Sequence, residues 1–360
     1  MKKTLWIVCS LPVLLLIVGV SMIVGGKKQA QAKQPISETF EVMMGKLLPC
    51  WQFVQTKEDF DNLNYYKKLF EKNKIFLHSS SHQTKIPKVI HFIWIGPRPF
   101  PRESIENVKS WMAHHPDWTV KFWTDRSRPL PHPEMKVQML SDFKFLMLED
   151  YFHLSDNYAE KADVWRYEIL FQEGGVYVDH DVKCLKSFDS LNAAYDMYCG
   201  LELPTQTTLS SSIHVTNNLI GIVPGHPVLL YSMEWLKSNW DEIEKLYPGK
   251  EREAVIDRVS HRSFAAFLEA VRKKSDLSHR DIVFPAYYFN APTDESAIFA
   301  RHLYAGTWFE NETKFEKMAR KRLMLLSKKA NKVLLFCGVA TALNLLGFGF
   351  LAFQFRKLKT

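Results

Sequence analysis

The chain has 360 residues, 46% of them apolar and 13% aromatic, which excludes an intrinsically disordered protein and suits one large core with appendages. The formal net charge of +8 is unevenly placed: residues 1–33 hold five lysines and no acid, and residues 314–360 hold eleven basic residues against Glu316 alone. The stretch between them, 34–313, is therefore net negative by seven charges, which excludes a basic nucleic-acid-binding domain.

In chain order, residues 5–26 carry no charge and suffice to cross about 30 Å of hydrocarbon as a helix, so a transmembrane anchor is expected there. A cleaved signal peptide, with Ala30-Gln31-Ala32 as its cleavage site, is the alternative for this run. Residues 34–82 space Phe40, Val42, Met43, Leu63, Tyr66, Leu69 and Phe70 in a helical manner, which predicts a helical stem without catalytic residues. The texture changes at Ile86-Pro87. Residues 88–95 form a continuous apolar, β-branched and aromatic run closed by Gly96-Pro97, the pattern of a buried parallel strand. Ser104 is expected to cap a helix that runs to His114, and residues 118–123 alternate as a second strand. Strand, helix, strand at this spacing predicts a βαβ unit, whose ligands gather at the carboxyl ends of its strands, where Trp94 lies.

A further helix is expected from a Ser155-Asp156 cap to Gln172 or Glu173, stopped by Gly174-Gly175, with Asp163 and Arg166 sharing one face. The strand Val176-Tyr177-Val178 follows, and then Asp179-His180-Asp181. Two carboxylates at i and i+2 at the mouth of a buried strand repel each other unless a cation joins them. A divalent metal bound through oxygen, itself holding phosphates, is the economical explanation. The five cysteines include no CxxC pair, which gives a zinc finger no support, and no GxxxxGKS loop is present.

Near the carboxyl end, Lys/Arg residues alternate with Met318, Leu323, Met324, Leu325 and Leu326 over 314–332, which predicts a basic interfacial helix, and residues 333–355 form a second uncharged run of membrane-spanning length. The excess of Lys/Arg before that run predicts an integral membrane protein of two spans with the central domain on the cytoplasmic face. The sequon Asn311-Glu312-Thr313 keeps a lumenal or periplasmic placement open.

The order Asp163-x-x-Arg166, Gly174-Gly175, Asp179-x-Asp181 resembles the sugar-binding region of DXD-motif glycosyltransferases. The likeness is to family 32, which includes the yeast initiating α-1,6-mannosyltransferase and the mannosyl inositol-phosphorylceramide synthases, with clostridial glucosylating toxins as more distant relatives. It extends over about residues 86–308, through the strands at 86–96 and 116–125, Asn217-Asn218, Pro224-Gly225-His226-Pro227, and His302 followed by Thr307-Trp308. One departure stands out. Many members carry Thr-Gly-Pro between the Gly-His-Pro block and the final His, where this chain has Val259-Ser260-His261-Arg262-Ser263.

The resemblance implies an α/β fold of GT-A type, a Rossmann-like mixed sheet flanked by helices, over residues 86–312, to which the two apolar runs add one transmembrane helix at each end. It also implies a membrane-bound, retaining transferase that uses Mn2+ or Mg2+. Such an enzyme moves a hexose from a nucleotide-diphospho-sugar, GDP-mannose or else a UDP-hexose, to a lipid-linked or glycolipid acceptor. By the same resemblance Asp181, Asp179 and His302 are the metal ligands, and Asp163 and Arg166 hold the donor sugar. Trp94 then lies near the base, Asp179 near the ribose, and Thr307 and Trp308 near the diphosphate. A catalytically silent sugar-binding or adaptor protein and a toxin-like protein glucosyltransferase are the alternatives.

Overall fold

The computed structural model describes residues 39–78, 84–275 and 279–306. Its centre is a seven-stranded mixed sheet in the order β3-β2-β1-β4-β7-β6-β8. The strands are β1 (Val89–Ile93), β2 (Thr119–Thr124), β3 (Lys136–Met139), β4 (Gly175–Val178), β6 (Met197–Leu201), β7 (Val215–Ile222) and β8 (Asp281–Phe284). Only β7 runs against its two neighbours, and the other pairings are parallel. The carboxyl ends of β1, β4 and β6 therefore share one sheet edge with the amino end of β7. A separate two-stranded ribbon pairs β5 (Val182–Cys184) with β9 (Ala300–His302).

The central strands are buried on both faces, which explains why they read as continuous apolar runs rather than alternating ones. Helix α1 (Lys57–Asn73) begins at a capping box in which Thr56 and Asp59 satisfy each other's backbone amides. Phe70 on α1 meets Phe284 and Tyr288 at centroid distances of 6.1 and 5.9 Å, and Asn73 Nδ2 donates to the Asp281 carbonyl over 2.6 Å. The segment expected to be a stem is thus helical at 57–73 and packs on β8 as part of the core.

Helix α2 (Arg102–His114) covers the sheet after β1. Its cap differs from expectation: Pro101 occupies that position, and Ser104 lies in the first turn with its hydroxyl 2.7 Å from His180 Nδ1. Helix α3 (Tyr158–Glu173) is capped by Asn157, not by Ser155-Asp156, because the Asn157 carboxamide oxygen reaches the amides of Ala159 and Glu160. Gly174 closes α3 at φ 62° and Gly175 follows at φ 98°, where a Cβ would stand 2.7 Å from the Val89 carbonyl oxygen. This turn drops the chain directly from helix to strand. It is clamped by His91 on β1, which accepts from Trp123 Nε1 over 3.0 Å and donates from Nε2 to the Gly174 carbonyl over 2.9 Å. Burial keeps that imidazole neutral, with its pKa lowered to about 3.

Helix α4 (Pro227–Leu246) leads to α5 (Arg252–Val259), a π-helical turn at Ser260–Phe264, and α6 (Ala265–Lys274). The expectation of one transmembrane helix at each end, and of an integral membrane protein with two spans, is corrected. Among the described residues no helix is long and apolar enough to cross a membrane. The longest, α4, has twenty residues and carries Glu234, Lys237, Asp241, Glu242, Glu244 and Lys245 opposite its buried stripe, as an amphipathic helix packed on a core does. Residues 5–26, 314–332 and 333–355, on which the expectation rested, lie outside the described residues, as do Thr307 and Trp308. The cytoplasmic placement, inferred from the same spans, is withdrawn with them.

Candidate active site

A cavity of about 690 Å³ opens at the sheet edge where β1, β4 and β6 end and β7 begins. Trp94, Asp163, Arg166, Asp179, Asp181 and His302 all line it. The Asp179 amide donates to the Asn218 carbonyl over 2.8 Å, the last bond of the β4–β7 ladder, and the Val182 amide returns to the Asp179 carbonyl over 3.0 Å. That turn presents Asp179 and Asp181 at the cavity, while His180 between them contacts Ser104 and sets its ring edge-on to Trp94 at 5.0 Å.

His302 arrives from 121 residues away through the ribbon, whose register places it opposite Val182. Its Nε2 is 3.3 Å from Asp181 Oδ1, and the Ala305 amide donates to Asp181 Oδ2 over 2.7 Å. Burial acts to raise the Asp181 carboxyl, but the His302 imidazole and the Ala305 amide outweigh it and hold the group well below the usual carboxylate range. Burial likewise opposes the charged form of His302, and Asp181, with Asp179 and Glu202 farther off, raises its pKa.

Asp179, Asp181 and His302 each offer one ligand atom, and the three atoms lie within 4.8 Å of one another. Two carboxylates and an imidazole are a donor set that Mn2+ accepts. His302 Nδ1 is buried and has no hydrogen-bond partner among the described residues, so the ring is not committed to a structural network on that side. The residues present fit a divalent cation.

Behind this cluster, Arg166 organises the floor. Its guanidinium stacks 3.8 Å over the Tyr177 ring and bonds the Asn217 carbonyl, the Tyr177 hydroxyl (2.9 Å), Asp163 Oδ1 (3.0 Å) and Asp179 Oδ1 (3.3 Å). Asp163 in turn accepts from Asn217 Nδ2 over 3.1 Å and from the Ser263 hydroxyl over 2.7 Å. Burial pushes the Asp163 pKa up to about 6, against the pull of Arg166 and Ser263. Trp94 lies half-buried on the β1 side, its indole donating to the Arg98 carbonyl over 2.9 Å.

The structure thus brings together every described residue that the sequence nominated. Sequence reasoning missed Tyr177, Glu202 and Tyr304, and it assigned no role to Asn217 or Ser263. Glu202 had a usable signal: like Asp179, it is an acid directly after a buried strand. Ser263 had none, because the stretch departs from the family pattern and its π-helical turn is not legible in the residue types.

Residues 101–198 match the family model described as "glycosyltransferase sugar-binding region containing DXD motif". Inositol phosphoceramide mannosyltransferase 3 of Schizosaccharomyces pombe is 31% identical over 173 residues, 47% of this chain and 42% of the relative. Mannosyl phosphorylinositol ceramide synthase CSH1 of Saccharomyces cerevisiae is 30% identical over 158 residues, 43% of this chain and 37% of the relative. A more distant similarity, 20% identity over 288 residues, covers 70% of this chain and 71% of the initiation-specific α-1,6-mannosyltransferase of S. pombe. The chain therefore spans less than half the length of the first two relatives.

Proposed function

Because residues 101–198 are a glycosyltransferase sugar-binding region of the DXD type, we propose that this chain is a metal-dependent, retaining glycosyltransferase. Its donor would be a nucleotide-diphospho-hexose, with GDP-mannose favoured by the mannosyltransferases among its relatives, and its acceptor an inositol phosphoceramide-type glycolipid. The observation that carries the reading is the convergence of Asp179, Asp181 and His302 within 4.8 Å at a cavity whose floor is the Asp163–Arg166 pair.

Asp179, Asp181 and His302 would hold a divalent ion, which when bound would neutralise the charge that grows on the departing diphosphate. The chain's own contribution is mainly positional. Asp163 and Arg166 lie on one face of α3, locked by Asn217 and Ser263, and offer an acceptor and donors to vicinal hydroxyls of the sugar. Trp94, braced edge-on by Phe100 and His180, gives the nucleoside an aromatic wall at the end of β1. The carboxylates near the sugar are committed to Arg166, Tyr177 and Ser263, which favours front-face displacement with the departing phosphate receiving the acceptor's proton over a protein nucleophile.

The test incubates the purified full chain with a panel of nucleotide sugars, Mn2+ and inositol phosphoceramide in micelles, scoring nucleotide release and lipid glycosylation. Metal-dependent release that is lost in Asp181→Ala is the expected outcome. Release that survives Asp181→Ala, or none with any donor, overturns the proposal.

A further inference from the structure

One carboxylate in the cavity has no part in that scheme. Glu202 follows β6, and its side chain is 23% exposed at the cavity wall. In the sheet order, β1 carries Trp94, β4 carries Asp179 and Asp181, β7 carries Asn217, and β6 comes next. A donor laid from Trp94 across the metal candidates to Asp163 and Arg166 occupies the ends of β1, β4 and β7. The end of β6 lies beyond it, where the group that receives the sugar must enter.

Glu202 is also purposefully held. His214 Nε2 stands 3.4 Å from Glu202 Oε2, its Nδ1 bonds the Ser211 carbonyl over 3.2 Å, and its ring meets Phe264 of the π-helical turn edge-on at 5.7 Å. On the other side Tyr304 lines the same cavity wall. Tyr304 has φ 51°, the sole positive value of a non-glycine residue among the described residues. A bulky L-residue in that region is strained, and such strain persists where the surroundings enforce it. Here the Tyr304 ring packs 4.1 Å from the His302 ring, so the strained residue lies against the metal candidate in the cavity that Glu202 also lines. A carboxylate in this place keeps lone pairs open to the cavity, and a polyol presents hydroxyl donors that match them.

We propose that Glu202, set beside His214 and facing the cavity with Tyr304, binds a hydroxyl group of the acceptor and orients it toward the donor sugar. The inference rests on the glycosyl-transfer reading above and adds the residue that selects a polyol acceptor over water. Water and acceptor compete for the same activated sugar, so their partition is the direct readout.

The experiment measures, in the full chain and in Glu202→Gln and Tyr304→Phe, the ratio of sugar transferred to inositol phosphoceramide to sugar hydrolysed, with KM for donor and acceptor. Loss of a hydrogen bond to a charged group predicts a fall in the ratio of about tenfold or more in Glu202→Gln, with a raised acceptor KM and an unmoved donor KM. Tyr304→Phe gives a smaller fall in the same direction. Glu202→Gln is nearly isosteric, and equal thermal melting separates its effect from misfolding. An unchanged ratio overturns the proposal, as does a parallel loss of transfer and hydrolysis with a raised donor KM, which would put Glu202 on the donor side. Wild-type protein that releases no nucleotide from any donor overturns the underlying reading instead.

Discussion

Ser263 donates its hydroxyl to Asp163 Oδ2 over 2.7 Å, joining the π-helical turn to the face of α3 that carries Asp163 and Arg166. The next-door contact is as direct: Arg262 bonds Glu160, one turn earlier on α3, at 2.7 and 2.6 Å. The stretch that departs from the family pattern therefore bolts the Asp163–Arg166 pair in place.

Asp163 is held up near pH 6, by burial first, so its ionised form, the one proposed to accept from sugar hydroxyls, grows in as pH rises through that value. Removing a donor to the ionised form raises the group further. Ser263→Ala should move the acid limb of the pH profile of donor hydrolysis upward by about one unit. The sign for stability is opposite: a carboxyl raised above its unfolded value of 3.8 stabilises the fold below that pH, and the contribution is lost as pH rises through about 6. Urea midpoints measured across that window check the second half of the expectation.

Arg166 uses a planar, forked group against Tyr177, Asn217, Asp163 and Asp179 at once. Lysine keeps the charge and loses the fork and the stack. Arg166→Lys should weaken donor binding by about tenfold or more, measured by calorimetric titration with a nucleotide sugar, and retention of wild-type affinity would remove Arg166 from the donor site.

Metal removal should act through the cluster of Asp179, Asp181 and His302. Treatment with EDTA should abolish nucleotide release and added Mn2+ should restore it. In His302→Ala, a spin-resonance titration should find Mn2+ affinity about 10–100-fold weaker than in wild type. Unchanged Mn2+ binding in that variant would assign the ion to other ligands.

The Arg262–Glu160 pair is nearly fully buried, and Arg262 also stacks 3.6 Å over Trp240 and bonds the more exposed Glu244. Glu160→Ala leaves a buried guanidinium short of a partner, and a loss of about 2–4 kcal/mol in unfolding free energy is expected from denaturant titration.

Phe70→Ala tests whether α1 folds with the sheet. A buried phenylalanine packed on Phe284 and Tyr288 should cost about 3–5 kcal/mol and lower a single cooperative transition. A separate, unshifted main transition would mean that α1 unfolds alone.

The parts written in contiguous residues were legible from the sequence. The run at 88–95, the alternation at 118–123 and the Gly174-Gly175 stop follow from local hydrophobic period and glycine conformation, and each corresponds to an element of the fold. Asp163, Arg166, Asp179 and Asp181 were visible as well, because helix spacing and strand end give them a shared neighbourhood within nineteen residues. The caps of α2 and α3 were misplaced by a few residues, since several polar residues compete there and only the backbone decides which one reaches an orphan amide.

Tertiary structure decided what distant segments bring. His302 meets Asp181 through the register of a two-stranded ribbon, Ser263 meets Asp163 through a π-helical turn, and Glu202 reaches the cavity because β6 follows β7 in the sheet. None of these is encoded by spacing along the chain, because strand order and register depend on which buried faces pack together. The sequence by itself determined the carboxylates and the strand that presents them; only the packed sheet determined their partners and the extent of the cavity they line.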